Sequence, residues 1–147
     1  MRLALAGILP EDPSMMPVRF DISDAQIAAV VADFYAAVRQ HPGLGPIFAA
    51  HVADWTAHES KIIRFWKNAI GLDKGYDGNP LAVHRAAGNV RPGMFIPWLG
   101  LFDTVLQRNL PTETALAWSA LAHRIGGSLA MGLMAQRAGP PDLKAPL

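Results

Sequence analysis

Apolar residues recur at helical spacing along most of the chain. Ile27, Val30, Val31, Phe34 and Val38 stand at i, i+3, i+4, i+7 and i+11, which is one face of a helix. Ser23-Asp24-Ala25-Gln26 ahead of them reads as a capping box. The serine hydroxyl accepts from the Gln26 N–H, and the Gln26 side chain accepts from the serine N–H. His41-Pro42-Gly43 ends this helix, because the residue before a proline avoids the α region. The stretch from Leu44 to Phe48 is too short and turn-rich for a long helix, yet it sets Phe48 beside the first one. A second helix is predicted over 54–70, with His58, Ile62, Phe65, Trp66 and Ala69 on one stripe and Gly71 as its stop. Asn79-Pro80 reads as the N-cap and first position of a short helix ending near His84-Arg85. Arg91-Pro92-Gly93 opens a third long helix whose Phe95, Trp98, Leu99, Phe102, Val105 and Leu106 face inward. Asn109-Leu110-Pro111 ends it. Thr112 is placed to cap a last long helix carrying Leu121, Ile125 and Leu129. No strand-like alternation and no internal repeat stand out. The expected fold class is all-α, with four long helices and one short one.

Composition narrows the chemistry. The 147 residues suffice for one domain with a substantial core. Residues 1–17 contain the helix-breaking segment LPEDPSMMP and read as a loosely attached N-terminal extension, with Met15 or Met16 a candidate natural start. The domain is expected over 18–137, followed by a flexible tail over 138–147 that is rich in proline. Thirteen basic residues against twelve acidic ones leave a net charge of +1, which argues against a nucleic-acid partner held by a broad basic face. No apolar run reaches the ~18–20 residues that span a bilayer, so membrane insertion is not expected and a cytoplasmic protein is the default. There is no cysteine, which excludes disulfides, thiolate zinc sites and cysteine nucleophiles. A metal would have to use histidine, carboxylate or other oxygen ligands.

There is no glycine-rich phosphate loop, no His-Glu-x-x-His zinc motif and no Glu-x-x-His di-iron pair, and no nucleophile motif supports a Ser-His-Asp arrangement. What stands out is polar residues on apolar stripes. His58 is in line with Ile62 and Phe65, Tyr35 adjoins Phe34, Trp98 lies mid-stripe, and His84 closes a short helix after Leu81 and Val83. Each alone is ordinarily a satisfied core residue. Their spacing adds something. His58 and His84 lie on different helices separated by a loop, and could face each other across a gap lined by Phe48, Ile62, Phe65, Trp66 and Trp98. A flat apolar cofactor with a central metal asks for one neutral imidazole ligand, an opposed polar cluster and apolar walls. A separate reading places a non-haem metal on His51, Asp54 and His58, spaced i, i+3, i+7.

Across residues 20–130 the chain resembles the group III truncated haemoglobins. The resemblance rests on Phe34-Tyr35-Ala36-Ala37-Val38-Arg39, Leu44-Gly45-Pro46-Ile47-Phe48, Trp55-Thr56-Ala57-His58 and Phe65-Trp66. It continues through Tyr76-x-Gly78-x-Pro80-x-x-x-His84 and Trp98-Leu99-x-Leu101-Phe102. The family implies a two-over-two helical sandwich around a non-covalent haem b. It implies His84 as the iron ligand, with Tyr35, His58 and Trp98 on the distal side where a diatomic ligand binds. Phe48 would pack on the haem face, with Ile62, Phe65, Trp66 and Leu81 as further haem contacts. Lys61, Tyr76 and Arg91 are candidates for the propionates. Three departures from the family stand out. Pro97 is expected to kink the helix before Trp98. Gly126-Gly127 falls inside the last helix at about 1 kcal/mol per glycine. Gly88-Asn89 replaces a more apolar stretch.

The function implied is reversible binding of O₂ and other diatomic ligands, for oxygen binding, transfer or scavenging. The alternative is a haem redox enzyme turning over nitric oxide, nitrite or peroxide, with NO dioxygenase-like or peroxidase-like activity and an unidentified reductase as partner. The expected state is a monomer or weak dimer.

Overall fold

The computed structural model describes residues 18–73, 78–88 and 90–138. The N-terminal extension, most of the tail, Tyr76 and Asn89 lie outside them. Among the described residues there is no strand, and six α-helices follow one another. They are α1 (Asp24–Gln40), α2 (Gly45–Ala49), α3 (Trp55–Ile70), α4 (Pro80–Ala87), α5 (Phe95–Asn109) and α6 (Thr112–Ala138), with a 3₁₀ turn over Pro92–Met94. No helix among the described residues is long and apolar enough to cross a membrane.

The local signals place the helix ends. Both arms of the Ser23–Gln26 capping box are made, at 2.9 and 3.0 Å. Asp54 caps α3 by accepting from the Ala57 N–H, and Asn79 caps α4 by accepting from Ala82 N–H. Gly71 ends α3 with φ of 101°, a left-handed conformation that only glycine adopts at no steric cost. α6 begins at Thr112 itself, one residue earlier than its expected role as cap.

Two expectations change. The kink at Pro97 does not follow, because α5 starts at Phe95. Pro97 therefore falls in the first turn, where the missing N–H is one of the donors without an intrahelical acceptor anyway. Gly126, marked as a cost, allows a close crossing. A Cβ there would lie 3.2 Å from Leu99 Cδ1 of α5. Gly132, further along the same helix, does the same for α4: its Cβ would come within 2.9 Å of both Leu81 methyls.

The helices pack two on two. α1 lies against α3 and α5, α5 against α6, and α4 against α6. Ile27, Val30, Val31, Phe34 and Val38 of α1 are all buried, as the stripe predicted, together with Trp66 and Ile70 of α3 and Phe102, Val105 and Leu106 of α5. The centre of the core is Trp118, fully buried, with Trp66 and Phe102 edge-on at 5.4 and 5.5 Å. Trp118→Ala is expected to cost about 3–5 kcal/mol, the usual range for emptying a buried aromatic site. Denaturant unfolding measures it, and a loss below about 1 kcal/mol would mean that the site is not the core's centre.

Across the α1–α5 crossing, Arg108 donates two hydrogen bonds of 2.9 Å to the Asp33 carboxylate, and Asn109 adds a third at 2.7 Å. The Arg108 guanidinium holds the Asp33 carboxyl below the usual carboxylate range, against a smaller opposing effect of burial, with Asn109 assisting. The sign follows: a depressed carboxylate stabilises the fold above its unfolded pKa, and that contribution disappears as pH falls through the folded value. Asp33→Asn should therefore flatten the acid side of the stability–pH curve. An unchanged acid limb in pH-dependent thermal melts would remove Asp33 from the account.

Candidate functional site

Between the helices lies a cavity of about 350 Å³, within the roughly 300–1,000 Å³ of small-molecule and cofactor sites. Of the residues singled out from the sequence, it brings together Tyr35 and Phe48 with His58, Lys61, Ile62, Phe65 and Trp66 of α3, His84 of α4 and Trp98 of α5. Leu81 is not among its walls; its methyls press on Gly132 instead, because it lies on the face of α4 that packs on α6. Arg91 is exposed outside the lining, at the start of the 3₁₀ turn.

His84 is held by its own helix. Its Nδ1 lies 2.6 Å from the Pro80 carbonyl oxygen, one turn back. A carbonyl can only accept, so Nδ1 carries a proton, and in that neutral tautomer the lone pair is on Nε2. That is how a second partner orients a histidine for a metal. Proline at the first helical position and Gly88 at the C-cap, with φ of 79°, bound the helix that carries it.

The other polar groups come from α1, α3 and α5. Tyr35 is buried, with its ring edge-on to Phe34 and His58, each at 5.0 Å. Burial, and then the negative charge of Glu59, push its phenol well above the ordinary range. The hydroxyl therefore remains a protonated donor across the working pH range. His58 is pushed below the ordinary histidine range, first by burial and then by the Lys61 charge, so its ring is held neutral. Its Nε2 is buried with no hydrogen-bond partner. Trp98 is fixed by rings on two sides, stacked on Phe102 at 5.5 Å and edge-on to Phe34 at 5.4 Å.

The residues present fit a flat, metal-centred apolar cofactor. The walls are apolar, and His84 offers an oriented Nε2 lone pair. His58 keeps a buried ring nitrogen unpaired in the same cavity, a polar atom that a bound group would satisfy. The competing metal reading fails on geometry. His51 precedes α3, Asp54 is occupied as its cap, and among the described residues no three His, Cys, Asp or Glu side chains cluster to hold an ion.

Several wall residues had no assigned role. Phe34, Phe95 and Phe102 were legible only as core positions of their stripes. Met94 and Val90 precede α5, in a segment without periodicity, and gave no signal. Trp55, behind His58 and Tyr35 at 6.0 and 5.9 Å, had only its place in a motif block.

No family model matches the chain. The group 3 truncated haemoglobin of Campylobacter jejuni is 33% identical over 89 residues, which cover 58% of this chain and 70% of that protein. The crystal structure of the group III truncated haemoglobin from the same organism aligns with a TM-score of 0.73 at 28% identity, covering 77% of this chain and 92% of that one.

Proposed function

The chain belongs to the group III truncated haemoglobins, and from that premise we propose that it holds haem b non-covalently and binds O₂ reversibly, with His84 as the iron ligand. The observation that carries the reading is the His84 Nδ1 contact with the Pro80 carbonyl, which leaves Nε2 free at the wall of an apolar cavity. When bound, the haem supplies an iron that takes a diatomic ligand and leaves partial negative charge on it.

The chain's own residues then act on that charge. The Tyr35 hydroxyl would donate to it, and the Trp98 indole N–H would be the second donor. Both work inside walls that exclude water, where the low local dielectric strengthens each hydrogen bond. Neutral His58 contributes its unpaired Nε2 as a third polar group. The exposed Lys61 ammonium, on the cavity wall, would pair with a propionate. Two fixed donors favour slow release of O₂, which suits scavenging or chemistry on the ligand better than bulk delivery. Rates of O₂ association and dissociation on the haem-loaded protein test the reading. Slow, reversible release supports it, and rapid irreversible oxidation on mixing with O₂ would replace it with redox turnover.

A further inference from the structure

We propose that Arg39, Glu59 and Trp55 form an external latch that keeps the His58 ring inside the cavity, so that this surface pair controls the opening of the distal side to an incoming ligand. The latch itself rests on ring packing and on the Arg39 contacts; the identity of the ligand rests on the function proposed above.

Since the buried His58 Nε2 has no hydrogen-bond partner, packing must hold that edge of the ring. Three rings surround it: Tyr35 at 5.0 Å, Trp55 at 6.0 Å and Phe48 at 6.3 Å, all edge-on. Tyr35 and Phe48 line the cavity; Trp55 does not. Trp55 therefore backs the histidine from the outer side. Its own ring is covered by the Arg39 guanidinium, whose carbon lies 4.5 Å from the ring centroid. The same guanidinium pairs with Glu59 at 2.8 Å, and Glu59 is the residue after His58 in α3. Arg39 thus ties the end of α1 to α3 at the level of the histidine. Its side chain is 43% exposed and that of Glu59 20%. An ion pair and a cation–π contact at such a surface are each weak, which suits a contact that must open and close.

Around His58 stand Lys61 and Glu59 on its own helix, Asp54 at that helix's N-cap one turn back, Tyr35 and Arg39 on α1, and His51 just before α3 on the cavity wall. The α2 helix, which carries Phe48, has no titratable side chain. These positions make the latch separable from simple charge effects. Losing the Arg39 cation alone would raise the titration point of His58, and losing the Glu59 anion alone would lower it. Opening the latch hydrates the ring and raises it in both.

Arg39→Gln and Glu59→Gln are therefore compared with the unmodified chain by NMR titration of the His58 ring, and by CO association with the ferrous haem-loaded protein. The expected result is an upward shift in both variants, with CO entry about three- to tenfold faster. The unmodified protein should approach the same CO rate when ionic strength rises from about 0.01 M to 1 M, where screening shortens from ~30 to ~3 Å. Shifts in opposite directions, or CO entry unchanged in both variants, would overturn the latch. Should the chain take up no haem, the proposed function fails, and the His58 titrations alone decide the latch.

Discussion

Replacing His84 by glycine is expected to abolish protein ligation of the haem iron while leaving the fold in place. The side chain is only partly buried, on the eight-residue helix α4. Its ring Nδ1 contacts its own helix, at the Pro80 carbonyl. The buried cluster of α1, α3, α5 and α6 does not include it. Removing it should therefore cost little stability and nearly all of the metal bond. Loss of a mere orienting partner typically lowers metal affinity ~10–100-fold, and loss of the ligand itself should exceed that. The deoxy-ferrous spectrum should lose its five-coordinate histidine signature, and added imidazole should restore it by entering the space left behind. If the variant keeps that signature without imidazole, another residue holds the iron and the assignment of His84 is wrong.

The second large effect is expected at Tyr35. Tyr35→Phe removes one hydroxyl and keeps the ring that packs on Phe34, Phe48, Trp55 and His58, so packing changes little and the donor is lost. A hydrogen bond to a charged acceptor is worth about 1.5–3 kcal/mol, and each ~1.4 kcal/mol is tenfold. O₂ dissociation should accelerate by about one to two orders of magnitude. CO, a poorer acceptor, should change less. Trp98→Phe is expected to act in the same direction, since the stacking of Trp98 on Phe102 and its edge contact with Phe34 fix the indole plane. Stopped-flow O₂ release measures both. If neither rate moves by more than about threefold, well under one tenfold step, the donors lie elsewhere and His58 is the next to test.

Much of this architecture was legible because each helix carries its own local code. The Ser23–Gln26 box, Asp54, Gly71 and Asn79-Pro80 set helix ends through contacts spanning only a few residues, and the α1 stripe named its buried face correctly. Trp118 was passed over although it stands three residues before Leu121 on the same face of α6; the long, glycine-rich helix has apolar residues on several sides, which blurs its stripe. Pro97 was misjudged for a different reason. Its effect depends on where the helix begins, and a boundary shift of a few residues moves a proline from the interior to the tolerated first turn. Gly126 looked like a local cost because its benefit lies in another helix, and Gly132 drew no reading at all: Leu99 and Leu81 occupy the space that a side chain would fill at each. The histidines were visible as anomalies on stripes. That His84 is oriented by Pro80, or that Trp55 and Arg39 stand behind His58, needs relations of ring to ring and of ring to carbonyl that periodicity does not encode.

This cavity is expected to take one haem through His84. An absorption titration of the purified 147-residue chain with haemin, followed by reduction, tests this. A Soret band should grow to saturation at one haem per chain, and the ferrous spectrum should be that of histidine-ligated iron and shift reversibly with O₂. Absorbance that increases without saturation, with no histidine-ligated spectrum on reduction, would contradict it.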